Sequence, residues 1–371
     1  MCKVVGGSTP KTDDPGNWGG DIKWVTPAEI RESVNLVTDT LKHVTPQGVR
    51  AARLRIMPAG TVLLTTRAPI GKVALAGDEM CCNQGFKCLI CSSEISNEWL
   101  LRLLRYKSCE LQQMGTGATF RELSKKVVSS YRVKLPAMAS QLLTVERLSS
   151  LEKLLGVLRR QLVLLDQLVK SRFVEMFGGL NSADLRPLKD VCSIITDGTH
   201  QPPKFVDRGI PFLFVSNITS DAVDYETNKF ISVEDYEQLI RRTPIEVGDV
   251  LVSAVGSFGH PAIVEDDRPF CFQRHIAYLK PRHDLIDSSY LHAALLSEGS
   301  QRYMDRCAKG AAQRTVTLKS FKEMKVPLPP LALQQEFASF VAEVDKSRFI
   351  VKQKIEKLQM LYDSLAQEYF G

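Results

Sequence analysis

The chain has 371 residues, with 48 Lys and Arg against 42 Asp and Glu for a net charge of +6, and 44% of it is hydrophobic. That length and composition suit two or three domains with buried cores and exclude a disordered chain, while the mild positive balance permits a nucleic-acid partner without demanding one. No apolar run approaches the roughly 20 residues of a membrane span and no signal-peptide pattern opens the sequence, so the chain is expected in the cytoplasm with no membrane partner.

In chain order, Gly6-Gly7-Ser8-Thr9-Pro10 and Asp13-Asp14-Pro15-Gly16-Asn17-Trp18-Gly19-Gly20 are turn chemistry and predict a long polar loop before a short strand at 22–25. A strand over 61–64 leads to a second loop, Thr65-Thr66-Arg67-Ala68-Pro69-Ile70-Gly71-Lys72. An Asn83-Gln84 turn, a strand over 86–91, a helix around 98–111 and a tight Gly115-Thr116-Gly117-Ala118-Thr119 segment then bring the chain to Leu135-Pro136. The nine cysteines, odd in number and scattered, read as reduced thiols. Cys88 and Cys91 have the short spacing of a zinc pair, but 86–91 reads equally as a buried strand using Cys as a small hydrophobe, and the matching stretch 273–279 has no cysteine.

From Gln141 the pattern becomes helical. A 4,3,4,3 comb from Thr144 picks out Leu148, Leu151, Leu155, Leu158, Leu162, Leu165, Val169, Arg172 and Met176, the seam of a helix that needs a partner along its length. The same comb at the C-terminus gives Phe337, Val341, Val344, Arg348, Val351, Ile355, Leu358, Tyr362, Leu365 and Tyr369. An offset of 193 (371 − 178) superposes the two combs, sets Gln141 on Gln334 and Gly117 on Gly310, and sets Val133-Lys134-Leu135-Pro136 on Val326-Pro327-Leu328-Pro329.

Further upstream the offset drifts but the matches persist: Gly60-Thr61-Val62-Leu63 with Gly248-Asp249-Val250-Leu251, Gly71 with Gly259, Gln84 with Gln273, and Trp24-Val25-Thr26 with Phe214-Val215-Ser216. The fold class is therefore α+β, a tandem duplication of two α/β domains, each followed by a long helix. Its expected boundaries are 1–139, helix 140–178, 179–331 and helix 332–371. The two helices are expected to pair within the chain, the alternative being a homodimeric coiled coil.

Between the halves, glycines recur where backbone geometry needs them, while the side chains on the loops change. Those side chains are candidates for reading base edges and gripping phosphates. In the first half they are Thr9, Lys11, Thr26, Arg67, Lys72, Gln84 and Thr119. In the second they are His200, Gln201, Asn217, Ser257, His260, Gln273, Arg274, Lys309, Gln313 and Arg314. No dinucleotide fingerprint, phosphate loop or H-E-x-x-H motif occurs, and Gln201-Pro202-Pro203-Lys204 departs from the Asn-Pro-Pro-aromatic motif of amino-methyltransferases at its first residue.

The two seam helices ending in Phe-Gly, the Lys134-Leu135-Pro136 and Pro327-Leu328-Pro329-Pro330 entries, the Gly7-Ser8-Thr9-Pro10 opening and Asp197-Gly198-Thr199-His200 together resemble the specificity subunit of a type I restriction-modification enzyme. The resemblance implies two target recognition domains on double-stranded DNA, a bipartite and asymmetric target, and helices packed antiparallel as a spacer. It further implies two docked methyltransferase subunits, restriction/translocase subunits joined through them, no catalysis in this chain, and S-adenosylmethionine, ATP and Mg held by the partners. The alternative is a methyltransferase or nuclease fragment with its own activity. One departure is expected at the start: Met1-Cys2 aligns with Val191-Cys192, leaving no counterpart to 185–190 at the edge of the first domain.

Overall fold

The structure is a computed structural model that describes every residue except 32–34, 68, 118–120, 181–183, 202, 220 and 311–312. Its contacts divide into two compact units, Met1–Leu158 with Lys354–Gly371, and Arg159–Gln353.

In the first unit, strands β1 (Cys2–Gly6), β2 (Trp18–Val25), β3 (Leu36–Val37) and β4 (His43–Val44) precede helix α1 (Pro46–Ala51) and strands β5 (Val62–Thr66), β6 (Ile70–Ala76), β7 (Met80–Cys82) and β8 (Phe86–Cys91). They form a five-stranded sheet in the order β1-β8-β5-β6-β3 and a three-stranded sheet β4-β2-β7. The stretch expected as one helix around 98–111 is two, α2 (Asn97–Tyr106) and α3 (Ser108–Gln113), followed by α4 (Lys125–Ser130). Apolar residues of β5, β6 and β8 meet Trp99, Leu100, Leu103 and Leu104 of α2 to make the main core. Cys81, Cys82 and Cys88 are buried side chains of the sheets, and burial pushes the Cys81 thiol up to about 12, so these cysteines serve as apolar packing. Among the described residues no group of His, Cys, Asp or Glu is arranged to hold a metal ion.

The second unit repeats the plan. After the long helix α5 (Met138–Phe177) come β9 (Leu185–Pro187), α6 (Leu188–Val191), β10 (Cys192–Asp197), β11 (Ile210–Leu213), β12 (Phe230–Ile231), α7 (Val233–Leu239), β13 (Val250–Ser253), β14 (Pro261–Ile263), β15 (Cys271–Phe272) and β16 (Ile276–Pro281). Helices α8 (Ser288–Leu296), α9 (Glu298–Cys307) and α10 (Leu318–Glu323), strand β17 (Lys325–Pro327) and the helix α11 (Leu331–Phe370) complete it. The sheets are β10-β16-β13-β14 and β12-β11-β15, matching β1-β8-β5-β6 and β4-β2-β7, with the extra pair β17-β9.

Every one of the twenty comb positions on α5 and α11 is buried or half-buried, as the seam requires. In the first unit, Tyr362 donates to Glu152 at 3.0 Å and Arg147 to Tyr369 at 2.9 Å; in the second, Arg172 meets Glu336 at 3.1 Å and Arg348 meets Asp166 at 2.8 Å. As one helix position rises its partner falls, so the helices run antiparallel within each unit. Each unit is also closed by the end of a long helix. Phe370 packs on Trp99 in the first (ring centroids 5.7 Å apart), and Phe177 packs on Tyr290 in the second (4.9 Å).

The duplication extends to single hydrogen bonds. Gln141, fully buried, accepts from Ser96 N at 2.8 Å and donates to the carbonyls of Glu94 and Pro136 at 3.0 and 2.9 Å. Gln334, also fully buried, accepts from Asp287 N at 2.9 Å and donates to Leu285 and Pro329 at 3.1 and 2.8 Å. The matched glycines Gly60 and Gly248, Gly71 and Gly259, and Gly117 and Gly310 all have left-handed φ.

Ladder partners correct two of the matches drawn from sequence. Val25 pairs with Cys82 and Leu213 with Phe272, so Trp24-Val25-Thr26 corresponds to Phe212-Leu213-Phe214, and Asn83 rather than Gln84 corresponds to Gln273. Loops of unequal length shift the offset by one or two residues between anchors, which a single running offset cannot follow.

Candidate nucleic-acid interface

The four loop segments of each unit are wired together at one end of its sheets by equivalent bonds. In the first unit, Ser8 N donates to Cys82 O at 3.1 Å, Thr66 N to Gly85 O at 2.7 Å, Leu123 N to Thr66 O at 3.2 Å and Lys72 N to the Thr65 hydroxyl at 3.0 Å. In the second, Thr199 N donates to Phe272 O at 3.1 Å, Ala254 N to His275 O at 2.8 Å, Val316 N to Ala254 O at 2.8 Å and His260 N to the Ser253 hydroxyl at 2.9 Å. Gly7 and Gly198 allow the first of these contacts. A Cβ on Gly7 would run into the carbonyl oxygens of Cys82 and Asn83, and one on Gly198 into those of Phe272 and Gln273. Two first loops thus cross two turns at a distance only glycine permits.

On this frame the first unit places Thr9 in hydrogen-bond contact with Gln84. Lys11 is exposed, its carbonyl accepting from the Trp18 indole at 3.0 Å and from Asn17 at 3.2 Å, while the Trp24 indole donates to Ser8 O at 3.0 Å, so two tryptophans pin the first loop. Arg67 lies 2.6 Å from Glu122, and the buried Lys87 reaches the same carboxylate at 3.2 Å. The Arg67 guanidinium holds the Glu122 carboxyl below the ordinary glutamate value against the opposing effect of burial, with Lys87 adding to the pull. Two cations on one anion leave a net positive charge beside the second loop. Lys72 is half-buried, and Thr119 lies outside the described residues.

The second unit puts different chemistry on the same frame. Asp197 is 13% exposed at its side chain, accepts from Arg242 at 2.5 Å and lies 3.1 Å from His200. These residues line a cavity of about 190 Å³ together with Thr199, Gln238 and Thr243. His260 is 3.1 Å from the Ser257 hydroxyl. Arg314 pairs with Asp305 at 2.7 Å and lies over the Phe258 ring, 5.2 Å from its centroid. Arg274, Gln201, Lys309 and Gln313 are exposed and Gln273 is half-buried. Burial and then the neighbouring Arg274 hold the imidazole of His275 below its ordinary value.

By register, His260 replaces Lys72, Arg274 replaces Gln84, Val255 replaces Arg67 and Thr315 replaces Glu122. Two candidates are otherwise engaged. Asn217 is 6% exposed and spends its side chain on Phe214 N and on the carbonyls of Asp224 and Glu226, each at 2.9 Å, so it caps a turn and has no donor left to offer a base. Glu29 does the matching work in the first unit, its carboxylate accepting from both the backbone N–H and the hydroxyl of Thr26 at 2.7 Å, so the Thr26 side chain is occupied as well. Sequence reasoning missed Arg242 and Lys87. Arg242 follows α7 with no spacing signal to tie it to Asp197, and Lys87 reads as part of an apolar strand.

The type I restriction modification DNA specificity domain matches residues 1–163 and, a second time, 183–360. The chain is 24% identical over 395 residues to the type I restriction enzyme MjaIX specificity subunit of Methanocaldococcus jannaschii, a match spanning 98% of this chain and 89% of that relative. Its fold is like that of the type I restriction-modification S subunit from M. genitalium, with a TM-score of 0.56 and 15% identity over 100% of this chain and 94% of the other. It is also like a chain solved in work on complex assembly and conformational transition of the type I R-M system, with a TM-score of 0.58 and 19% identity over 100% and 97%. With one copy of the domain in each half, the chain belongs to the type I restriction-modification DNA specificity family.

Proposed function

We propose that this chain is the non-catalytic, sequence-reading subunit of a type I restriction-modification complex, with one reading surface per unit and a bipartite, asymmetric double-stranded DNA target. One observation carries the proposal: two identical backbone frames display unlike side chains, Lys72 against His260 and Gln84 against Arg274. Two copies of one reader would favour a symmetric site, whereas two readers of different chemistry call for two different half-sites.

Methylation and cleavage belong in this reading to partners: two methyltransferase subunits docked on the chain, restriction/translocase subunits joined through them, and S-adenosylmethionine, ATP and Mg held there. Exposed apolar side chains on the long helices support docking, Leu154 and Val157 in the first unit and Phe349 and Ile350 in the second. Among the described residues no helix is long and apolar enough to cross a membrane.

The test is to map methylated motifs in cells carrying the chain with its methyltransferase partner. A split motif with unlike halves is expected, and a palindrome would overturn the proposal. Labelled S-adenosylmethionine supplied to the purified chain alone tests the catalytic assignment, since DNA methylation without partners would refute it.

A further inference from the structure

A reader built twice must change the groups that meet bases from one unit to the other, but every duplex offers both units the same phosphodiester backbone. Groups that grip phosphate are therefore expected at matched positions with unchanged chemistry. By register Lys72 gives way to His260, Arg67 to Val255 and Glu122 to Thr315. Lys42 and Lys229 do not change. Trp24 N donates to Lys42 O at 3.0 Å and Phe212 N to Lys229 O at 2.9 Å, and Trp24 and Phe212 are themselves matched through their ladders to Cys81 and Cys271. The residue just before the lysine does vary, from Leu41, which is 86% exposed, to Asn228.

The setting of this lysine is also made twice. Lys42 Nζ is 5.5 Å from the centroid of the Trp18 ring, which meets Trp24 edge-on at 5.0 Å. Lys229 Nζ is 5.3 Å from the Phe205 centroid, and that ring meets Phe212 edge-on at 5.4 Å. The Trp18 indole holds Lys11 O of the first loop at 3.0 Å, and Phe205 follows the matching loop of the second unit. A ring face steadies an ammonium without cancelling its charge as a carboxylate would. Among the described residues neither lysine forms an ion pair, and both are exposed. Arg121 and Arg314 also match, but Arg314 pairs with Asp305, so its charge is balanced in the second unit.

Strands β4 and β12 are sheet edges, each two strands from β7 or β15, whose turns carry Gln84 and Arg274. At roughly 4.8 Å per strand that separation is about 10 Å. A major groove about 12 Å wide and about 8.5 Å deep has its rim about 10 Å from the middle of its floor. A unit whose reading turn faces base edges thus carries this lysine level with the phosphates of one strand.

We propose that Lys42 and Lys229 are equivalent phosphate grips, each taking one backbone phosphodiester of the duplex whatever its sequence, an assignment that rests on the DNA-reading function proposed above.

The test titrates the assembled complex carrying Lys42→Gln, Lys229→Gln or both onto two labelled duplexes, one with the methylated motif and one scrambled, from about 50 to about 200 mM salt. Each substitution should make the plot of log affinity against log salt shallower by about 0.9, so that the parent's advantage shrinks about threefold across that range. Both duplexes should lose affinity by the same factor, and Lys42→Arg and Lys229→Arg should keep the parent slope. Unchanged slopes would overturn the proposal, as would a loss confined to the motif duplex, which would make the lysines base readers. The parent's methylated motif separates this outcome from the reading beneath it. A palindrome would overturn the unlike half-sites and leave the slopes to decide the grips, whereas a split motif with unchanged slopes would overturn the grips alone.

Discussion

Gln334→Leu removes the polar half of a junction that the fold has made twice, with little change in side-chain volume. The side chain is fully buried and serves three backbone groups, Asp287 N, Leu285 O and Pro329 O. Leaving a buried donor without a partner costs about 1–3 kcal/mol, and an orphaned carbonyl, with a second lone pair to use, falls at the lower end of that range. The sum is about 3–5 kcal/mol, a large part of the roughly 5–15 kcal/mol that holds a domain.

The loss also reaches α8, because Asp287 is its N-cap and accepts from Ser289 N and Tyr290 N at 2.8 and 3.0 Å. Urea unfolding read by far-UV circular dichroism measures it. Gln141→Leu should cost a similar amount and shift the tryptophan-reported transition as well, all three tryptophans being in its unit. A Gln334→Leu chain within about 0.5 kcal/mol of the parent would refute the account of the junction, since that is the scatter of an inconsequential substitution.

Alanine at Arg67, Lys72, Arg274 or Arg314 should weaken DNA binding of the assembled complex, by about 1–3 kcal/mol where the contact is bidentate to a base, as read by fluorescence anisotropy; four unchanged affinities at physiological salt would place the reading surface elsewhere. Asp197→Asn removes the acceptor that orients Arg242 and His200, so discrimination between target and non-target duplex should fall about tenfold or more even as the lost negative charge raises non-specific affinity, and an unchanged ratio would count against it. Because Arg67 and Lys87 lower the folded-state value of Glu122, its contribution to stability is fully present above the ordinary glutamate value and is lost as pH falls through the lower, folded one. Glu122→Gln should flatten that acid limb of the urea midpoint, and an identical pH profile would show that the pairs contribute nothing. Replacing Arg172 and Arg348 together by Leu makes the seam apolar but removes the Glu336 and Asp166 pairs that help specify register; a higher urea midpoint with concentration-dependent association in light scattering is expected, and a lower midpoint would refute it.

The seam and the duplication were legible because both are periodic. A 3.5-residue comb needs no knowledge of the rest of the fold, and residues such as Gln141 and Gln334 sit at a fixed distance from it. Loop side chains were less so. Asn217 and Lys11 are both polar residues in turn-rich sequence, yet one is consumed by a cap and the other is exposed. Only the path of the backbone around them separates the two cases.

Arg242 was illegible for a related reason. It meets Asp197 across 45 residues of chain, with no spacing pattern to tie the two together. The makeup of each unit was hidden too. The periodic signal says that α5 and α11 want a partner, but not that Phe370 belongs with Trp99 and Phe177 with Tyr290, which depends on side chains brought together only in the folded state.

That division between what is fixed and what varies has a physical cause. Every link in the interface frame is a backbone bond or a bond to a buried hydroxyl, Thr65 in one unit and Ser253 in the other, and none depends on an exposed side chain. Substitutions among exposed positions held this way shift stability by roughly 0.5 kcal/mol or less, so Gln84 and Arg274 are free to differ while the surface keeps its shape, and the half-buried Lys72 and His260 differ while the bonds from their backbone N–H to Thr65 and Ser253 stay the same. Gly7 and Gly198 are not free, because any Cβ there strikes the carbonyls of the crossing turn and pushes the first loop off its frame. Recognition chemistry can therefore change one side chain at a time and independently in the two units, which makes unlike half-sites the expected product of a duplicated reader.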